Sequence, residues 1–313
     1  MAAPAATLLA SVAEELAQGT VVLNDGRRMP RLGYGTASGD KVGPALLAAL
    51  RMGYRLIDTA VAYRCERTIA QAIAASGVPR GELFVVSKAW PFVDYVGKDR
   101  VNKPTKAGVA LIEDVETHIS QLSIGGYLDL LLLHWPTARL REHWEALCQL
   151  QRTGMVRSIG LSNVGRLHLE QLSAMPIQPT LVQTELAPVA TDRRLHADLD
   201  ELIAHCDSRG IVLMSHSPLR GAMRDQRAVQ LARAHRVGVP QLLLRYSLQR
   251  GFVAIFGSLS EVHDHLPNQA LPLPSPPTPT LLLRRTSATT YSPSTSSWNP
   301  PSCERSLVGG LPD

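Results

Sequence analysis

Four side chains in the first half of the chain have the chemical types needed to protonate an oxygen: Asp58, Tyr63, Lys88 and His134. A tyrosine with an ordinary pKa of about 10 is a poor acid near neutral pH. A neighbouring Lys88 ammonium would lower that pKa, and Asp58 would keep a buried Lys88 charged. His134 could donate a hydrogen bond that orients a substrate oxygen. Together the four residues indicate a site that protonates an oxygen while hydride reaches the adjacent carbon.

The elements that must position these residues alternate between short apolar runs and segments of helical period. The predicted strands are Leu32–Thr36, Arg55–Asp58, Leu83–Ser87, Tyr127–His134, Val156–Leu161, Leu181–Thr184, Ile211–Met214 and Phe252–Phe256. The predicted helices are Gly43–Met52, Glu66–Ala75, Val109–Leu122, Arg141–Thr153, Leu167–Ala174, Arg194–Arg209 and pieces within Asp225–Arg250. This α/β alternation predicts a (β/α)₈ TIM barrel.

A doubly wound open sheet is the alternative architecture. The barrel is favoured because Gly33-Tyr34-Gly35 lies inside the first strand and no third glycine completes a dinucleotide-binding turn. In a barrel, reactive groups collect where the strands end. The polar residues at those ends are Asp58, Lys88, His134, Ser162, Asn163, Gln183, Ser215, His216 and Ser258. We therefore expect them to share one rim.

The two ends of the chain differ in composition from its middle. We expect residues 1–19 to form an N-terminal extension and residues 20–266 to form the barrel, beginning with a β-hairpin whose turn is Asn24-Asp25-Gly26. Residues 267–313 are rich in proline, serine and threonine, which predicts a disordered tail. Pro267 would stop the last helix early, so that helix is expected to be incomplete.

Composition narrows the range of partners. The chain has 313 residues, and its net charge of +5 is spread along its length, so we expect no nucleic-acid partner. No apolar run is long enough to span a membrane, which predicts a cytoplasmic protein. The four cysteines lack the paired spacing of a zinc site, and we expect no metal.

Several motifs in order identify the chain as similar to the aldo-keto reductases. They are Leu32–Thr36, Asp58–Tyr63 with Glu66, Ser87-Lys88, His134-Trp135-Pro136, Gly154–Asn163, Gln183-Thr184-Glu185 and Ser217-Pro218-Leu219. The resemblance implies a monomer that reduces aldehydes or ketones with NADPH, as alcohol dehydrogenases (NADP+) do. Tyr63 would be the proton donor, tuned by Lys88 and Asp58, while His134 orients the carbonyl.

The resemblance also implies a cofactor site, and this chain departs from the family there. Ser162, Asn163 and Gln183 would hold the nicotinamide carboxamide, beside a loop that carries Ser217 and Leu219. His216 stands where the family usually has a tyrosine that stacks on the nicotinamide. Ser258 would also bind the cofactor. It ends the segment Ile255–Ser258, which corresponds to the place where many members carry a lysine for the 2′-phosphate, so NADH is a possible second cofactor. Cys65 replaces an asparagine.

Each of these residues also has an ordinary structural explanation when taken alone. Asp58 could cap a helix, Lys88 could be a surface lysine, and His134 could be a core histidine. Trp90 and Trp135 could line the substrate pocket or simply pack. The functional alternatives are a nicotinamide-binding protein without catalysis and a truncated, inactive family member.

Overall fold

The computed structural model describes residues 19–37, 39–93, 104–186, 193–216, 223 and 225–256, although not the side chains of 39–40 and 193–198. Eight parallel strands, β3 to β10, close into a barrel in the order β10-β3-β4-β5-β6-β7-β8-β9. The strands are β1 (Thr20–Val22), β2 (Arg28–Pro30), β3 (Leu32–Gly35), β4 (Leu56–Asp58), β5 (Phe84–Ala89), β6 (Leu128–Leu133), β7 (Val156–Ser162), β8 (Leu181–Glu185), β9 (Val212–His216) and β10 (Val253–Phe256). The predicted barrel is therefore confirmed, and the open sheet is excluded.

Helices follow the strands along the described chain. They are α1 (Gly43–Arg51), α2 (Glu66–Ser76), α3 (Gly108–Leu122), α4 (Leu140–Arg152), α5 (Arg166–Gln171), α6 (Arg193–Ser208), α7 (Gln226–Ala234) and α8 (Val239–Gln249). Helix α4 shows why these segments are helical, because Leu140, Trp144 and Leu147 recur at helical spacing and are all buried. Short 3₁₀ turns lie at Gly39–Val42, Val61–Tyr63 and Arg80–Glu82.

The run of four leucines in β6 is buried on both faces of the barrel wall. Leu130 and Leu132 belong to the core inside the barrel, whereas Leu131 and Leu133 belong to the layer between barrel and helices. Successive side chains of a strand point to opposite faces, so a wall covered on both sides needs apolar residues at every position. The same alternation decides which polar residues reach the inner face of the rim.

The predicted hairpin is present as β1–β2, and it contributes to the inner core. Strand β1 pairs antiparallel with β2, and the buried side chains of Leu23 and Met29 pack among the inner residues. The turn is fixed by two hydrogen bonds, from Ser158 Oγ to Asp25 Oδ2 at 2.6 Å and from Asn24 Nδ2 to the Pro179 carbonyl at 3.0 Å. The hairpin is thus tied to the barrel on the side from which β7 starts.

Predicted and observed elements agree within three residues at every boundary. The largest difference is at α5, which ends at Gln171 because the chain tightens into turns with hydrogen bonds from Ser173 N to Glu170 O and from Met175 N to Leu172 O. The N-terminal extension, the incomplete last helix and the disordered tail lie outside the described residues. Across the part of the chain that is described, no helix is long and apolar enough to cross a membrane.

Candidate active site

A buried ion pair joins the ends of two adjacent strands. Asp58 ends β4, and Lys88 lies near the end of β5 beside it. Lys88 Nζ donates to Asp58 Oδ1 at 2.6 Å and to the Thr59 carbonyl at 3.0 Å. Only 2% of Lys88 and 4% of Asp58 are exposed. Two buried charges need each other and further hydrogen bonds, so this geometry is the partnership that the sequence predicts.

The ion pair holds Lys88 in its charged form. Burial lowers the pKa of Lys88, but the charge of Asp58, the nearby Tyr63 and their hydrogen bonds outweigh that effect and raise the pKa above its ordinary value. A lysine whose pKa is raised carries a positive charge throughout the neutral range. Lys88 is therefore a permanent positive charge inside the rim.

The hydroxyl of Tyr63 faces this charge. Tyr63 ends the 3₁₀ turn Val61–Tyr63, and its N–H donates to the Ala60 carbonyl at 2.9 Å. Lys88 Nζ lies 3.5 Å from Tyr63 Oη and 5.1 Å from the centre of the ring. The hydrogen bond is long, since such bonds are usually about 2.9 Å. The turn thus places the Tyr63 hydroxyl next to the ion pair, at a distance slightly longer than that of a normal hydrogen bond to Lys88.

Burial has a larger effect on the pKa of Tyr63 than the sequence predicts. Burial raises the pKa of Tyr63, while the charge and hydrogen bond of Lys88 lower it, and the net result is a raised pKa. The predicted lowering by Lys88 is therefore present but is outweighed by desolvation, which disfavours the phenolate. Tyr63 therefore holds its proton at neutral pH and has a proton that it can donate.

The second oxygen of Asp58 is held by a residue from the far side of the barrel. Gln183 in β8 donates from Nε2 to Asp58 Oδ2 at 2.7 Å, across 125 residues of sequence. Gln183 is buried, and so is the bond. Neither this contact nor the Thr59 carbonyl at Lys88 is predicted by the sequence; the only signal was a polar side chain at the end of an inward-facing strand.

Aromatic side chains surround His134, which directly follows β6. Its ring makes edge-to-face contacts with Tyr63, at 6.0 Å between ring centres, and with Trp90, at 5.2 Å. Trp135 is roughly parallel to His134 at 6.3 Å, and Phe92 lies 5.4 Å from Trp90. The structure therefore places both predicted pocket tryptophans next to the histidine. A carbonyl group near His134 would have apolar neighbours.

A second polar group lies at the ends of β7 to β9 and is centred on Asn163. Its Nδ2 donates to the His134 carbonyl at 2.9 Å and to Ser162 Oγ at 3.1 Å, while its Oδ1 lies 3.1 Å from His216 Nε2. Asn163 has a φ of 58°, a left-handed conformation that asparagine tolerates better than most residues. These hydroxyl and amide groups can both donate to and accept from the planar amide of a ligand.

Most of the predicted site residues thus come together on one rim. Asp58, Lys88, Tyr63 and Gln183 form one connected group, and Ser162, Asn163 and His216 form another that touches His134. Ser217, Leu219 and Ser258 lie outside the described residues. Among the residues that the structure does describe, no cluster of histidine, cysteine, aspartate or glutamate could hold a metal ion.

Comparisons with known proteins agree with one another. A family model described as the aldo/keto reductase family matches residues 16–275. A glyoxal reductase of Bacillus subtilis is 36% identical over 249 residues, covering 77% of this chain and 83% of that protein. An aldehyde reductase of Saccharomyces cerevisiae is 30% identical over 279 residues, covering 77% of this chain and 82% of the yeast protein. The solved structure of a Bombyx mori aldo-keto reductase in complex with NADP matches with a TM-score of 0.64 and 31% identity, covering 78% of this chain and 84% of that one.

Proposed function

The chain belongs to the aldo/keto reductase family, and we propose that it reduces aldehydes or ketones to alcohols with NADPH as the hydride donor. Support comes from relatives named as reductases of glyoxal and of aldehydes and from a neighbour crystallised with NADP. The observation that carries the proposal for this chain is the buried ion pair of Asp58 and Lys88, whose ammonium faces the hydroxyl of the partly buried Tyr63. This arrangement favours catalysis over nicotinamide binding without turnover. The Lys88 charge is costly to bury, and it faces the ionisable hydroxyl of Tyr63, as is typical of a catalytic site.

The residues on the rim fit this cofactor in chemical type. A carboxamide needs both donors and acceptors, and Ser162, Asn163 and Gln183 supply them at the adjoining ends of β7 and β8. We propose that these three residues hold the nicotinamide carboxamide and that His216 lies against the ring. Ser217, Leu219 and Ser258 are proposed to contact the rest of the cofactor. NADH is proposed as a weaker substitute.

The proposed mechanism uses the tetrad as a proton-delivery site. NADPH, when bound, supplies the hydride. Tyr63 gives its hydroxyl proton to the carbonyl oxygen, and Lys88 stabilises the phenolate that remains. Asp58 keeps Lys88 charged and in place. His134 donates a hydrogen bond to the same carbonyl oxygen, and Trp90 and Trp135 form the apolar wall against which the substrate packs.

The role of Tyr63 can be tested by removing only its hydroxyl. Tyr63→Phe should lower kcat/KM for an aromatic aldehyde by about 10²- to 10⁴-fold, the usual contribution of a general acid. NADPH affinity, measured by quenching of tryptophan fluorescence, should stay the same. Tyr54→Phe is the matched control, since Tyr54 is also buried but packs against Phe256. Near-normal activity in Tyr63→Phe would rule out the mechanism.

The finer proposals are that the enzyme is of the alcohol dehydrogenase (NADP+) type, acts as a monomer and resides in the cytoplasm. Oxidation of simple primary alcohols with NADP+ would test the first. Sedimentation equilibrium would test the second, and fractionation of the source cells would test the third. A dimer in sedimentation equilibrium would contradict the monomer proposal, and recovery in the membrane fraction would contradict the cytoplasmic one. Neither result would affect the proposed catalytic activity.

A further inference from the structure

A hydrogen-bonded cluster of buried Ser87, buried His118 and partly buried Glu66 lies beside the active site and has no role in the mechanism above. His118 Nδ1 lies 2.6 Å from Glu66 Oε1, and its Nε2 lies 2.8 Å from Ser87 Oγ. Ser87 is fully buried, and 2% of His118 is exposed. Polar groups that are this deeply buried are costly unless they are hydrogen-bonded, so the cluster is a specific connection.

The direction of the hydrogen bonds follows from the charge of Glu66. Burial raises the pKa of Glu66, but the hydrogen bond from His118, a backbone hydrogen bond and the positive charge of Arg64 oppose burial, and the net pKa is lowered. The carboxylate is therefore ionised at neutral pH and can only accept, so His118 Nδ1 carries a proton. When the ring is neutral, Nε2 accepts from the Ser87 hydroxyl.

This connectivity is that of a serine hydrolase triad, but its position excludes hydrolysis. A nucleophilic serine must reach a substrate, and the Ser87 side chain is enclosed between the barrel wall and the helices. The three residues come instead from three different elements, namely the start of α2, the strand β5 and the helix α3. What they can do is fix these elements relative to one another.

The elements joined in this way carry two members of the proposed catalytic tetrad. Ser87 directly precedes Lys88, and the two side chains point to opposite faces of β5, one toward the helices and one toward the rim. Glu66 follows Tyr63 by three residues. His118 therefore connects, from behind the barrel wall, the segment that carries the phenol with the strand that carries the ammonium.

The short link between Tyr63 and Glu66 has a strained backbone. Arg64 has a φ of 53°, in the left-handed region that residues with a Cβ rarely adopt. Such a conformation persists only where the surroundings hold it. The two residues that follow Arg64 are both held: Cys65 is buried against Thr36 and Thr59, and Glu66 is bonded to His118. Loss of the bond to His118 would free this turn to relax and carry Tyr63 with it.

We propose that His118 is a positioning residue that holds the Tyr63 hydroxyl next to the Lys88 ammonium. This inference rests on the proposed function for its effect on catalysis, although not for its structural part. The contact that it protects is already long, at 3.5 Å. A small displacement of the turn would therefore separate the two groups, and small misplacements of reacting groups have large effects on rate.

Two variants separate the two hydrogen bonds of His118. Asparagine places an amide near the position of Nδ1 and can keep the bond to Glu66, whereas glutamine reaches the position of Nε2 and can keep only the bond to Ser87. With 4-nitrobenzaldehyde and NADPH, His118→Gln should lower kcat by about tenfold or more, with KM for the aldehyde and Kd for NADPH nearly unchanged. The solvent deuterium isotope effect on kcat should rise. His118→Asn should keep most of the activity.

A crystal structure of His118→Gln supplies a measurement that does not need turnover. The distance from Tyr63 Oη to Lys88 Nζ should increase in this variant and should stay near 3.5 Å in His118→Asn. If both variants only lower the unfolding temperature, with unchanged kcat, isotope effect and distance, His118 is merely structural and the proposal is wrong. If the wild-type protein reduced no carbonyl compound, the proposed function would be wrong. The distance from Tyr63 Oη to Lys88 Nζ in the variants would still decide whether His118 positions Tyr63.

A further variant keeps the proposal testable if His118→Gln does not fold. Glu66→Gln preserves the size of the side chain but replaces an ionic hydrogen bond with a neutral one, so it weakens the same connection. It should lower kcat in the same direction, by a smaller factor, and should also raise the isotope effect. An unchanged kcat in folded Glu66→Gln would contradict the proposal.

Discussion

Replacing Asp58 with asparagine tests how the buried charge of Lys88 is maintained. The change keeps the shape of the side chain and removes the negative charge that lies 2.6 Å from Lys88 Nζ. Within the described residues, Asp58 is the acidic partner of Lys88 in an ion pair. With 2% of its surface exposed, Lys88 cannot recover hydration in place of that partner. The variant must therefore either bury an unpaired ammonium or deprotonate it.

The magnitude follows from the less costly of these two responses. Keeping an ordinary lysine neutral costs about 1.36 kcal/mol for every pH unit below its pKa of about 10.4, which gives about 4.6 kcal/mol at pH 7. This upper bound agrees with the roughly 3–5 kcal/mol lost when one partner of a buried ion pair is removed. Because the unfolded variant then binds one more proton than the folded one, its stability rises with pH. The deficit relative to wild type should shrink to about 2 kcal/mol at pH 9.

Urea unfolding followed by tryptophan fluorescence at pH 7, 8 and 9 measures this deficit. Asp58→Asn combined with Lys88→Met is the control, since replacing both members of a buried ion pair by uncharged residues can be neutral or even stabilising. A deficit below about 1 kcal/mol at pH 7 would show that other groups balance the charge of Lys88, and a large deficit that does not change with pH would show that folded Lys88 keeps its proton. Either result would refute the reasoning.

Three further predictions concern packing and titration elsewhere in the barrel. Gly160→Ala should lower the free energy of unfolding by about 1–3 kcal/mol in urea titrations, because a Cβ there would lie 2.3 Å from the Leu181 carbonyl oxygen. Burial lowers the pKa of His143, so wild type should lose stability as pH falls below about 6.5, and His143→Gln should lose less over the same range. Burial raises the pKa of Cys148 to about 11 and of Cys206 to about 12, so iodoacetamide at pH 8 should label both only after unfolding, as peptide mass spectrometry would show.

The barrel itself was predictable because its signals are local. A strand covered on both faces must be apolar throughout, and Leu130–Leu133 shows this pattern directly in the sequence. Parallel strands then bring their ends to one rim, so Asp58, Lys88 and His134 could be grouped without knowledge of any contact. The ion pair was predictable because a buried carboxylate and a buried ammonium each require a partner.

The remaining features depend on distances and directions that no local pattern contains. Gln183 and Asp58 are 125 residues apart, and only the closed barrel brings the amide to the second carboxylate oxygen. The pKa of Tyr63 depends on the balance between its burial and a Lys88 contact of 3.5 Å, and the sequence gives only the chemical types. For His118 there was a partial signal, because a histidine shares the buried stripe of α3 with apolar residues and must find polar partners there.

The contacts of Asn163 connect the proposed cofactor site with His134, the residue proposed to orient the substrate. Its amide nitrogen holds the carbonyl of His134, and its oxygen is already in contact with His216. Both hydrogens of the Asn163 amide are already donated, to His134 and to Ser162, so a ligand oxygen that accepts from Asn163 must replace one of these hydrogen bonds, which yields little net free energy per bond. The value of the interaction lies in position instead, because an asparagine fixed by His134 and by its own left-handed backbone presents a ligand amide at a set place relative to the carbonyl site. In this chain, the group that would hold the hydride donor and the group that would hold the hydride acceptor are thus parts of one hydrogen-bonded unit.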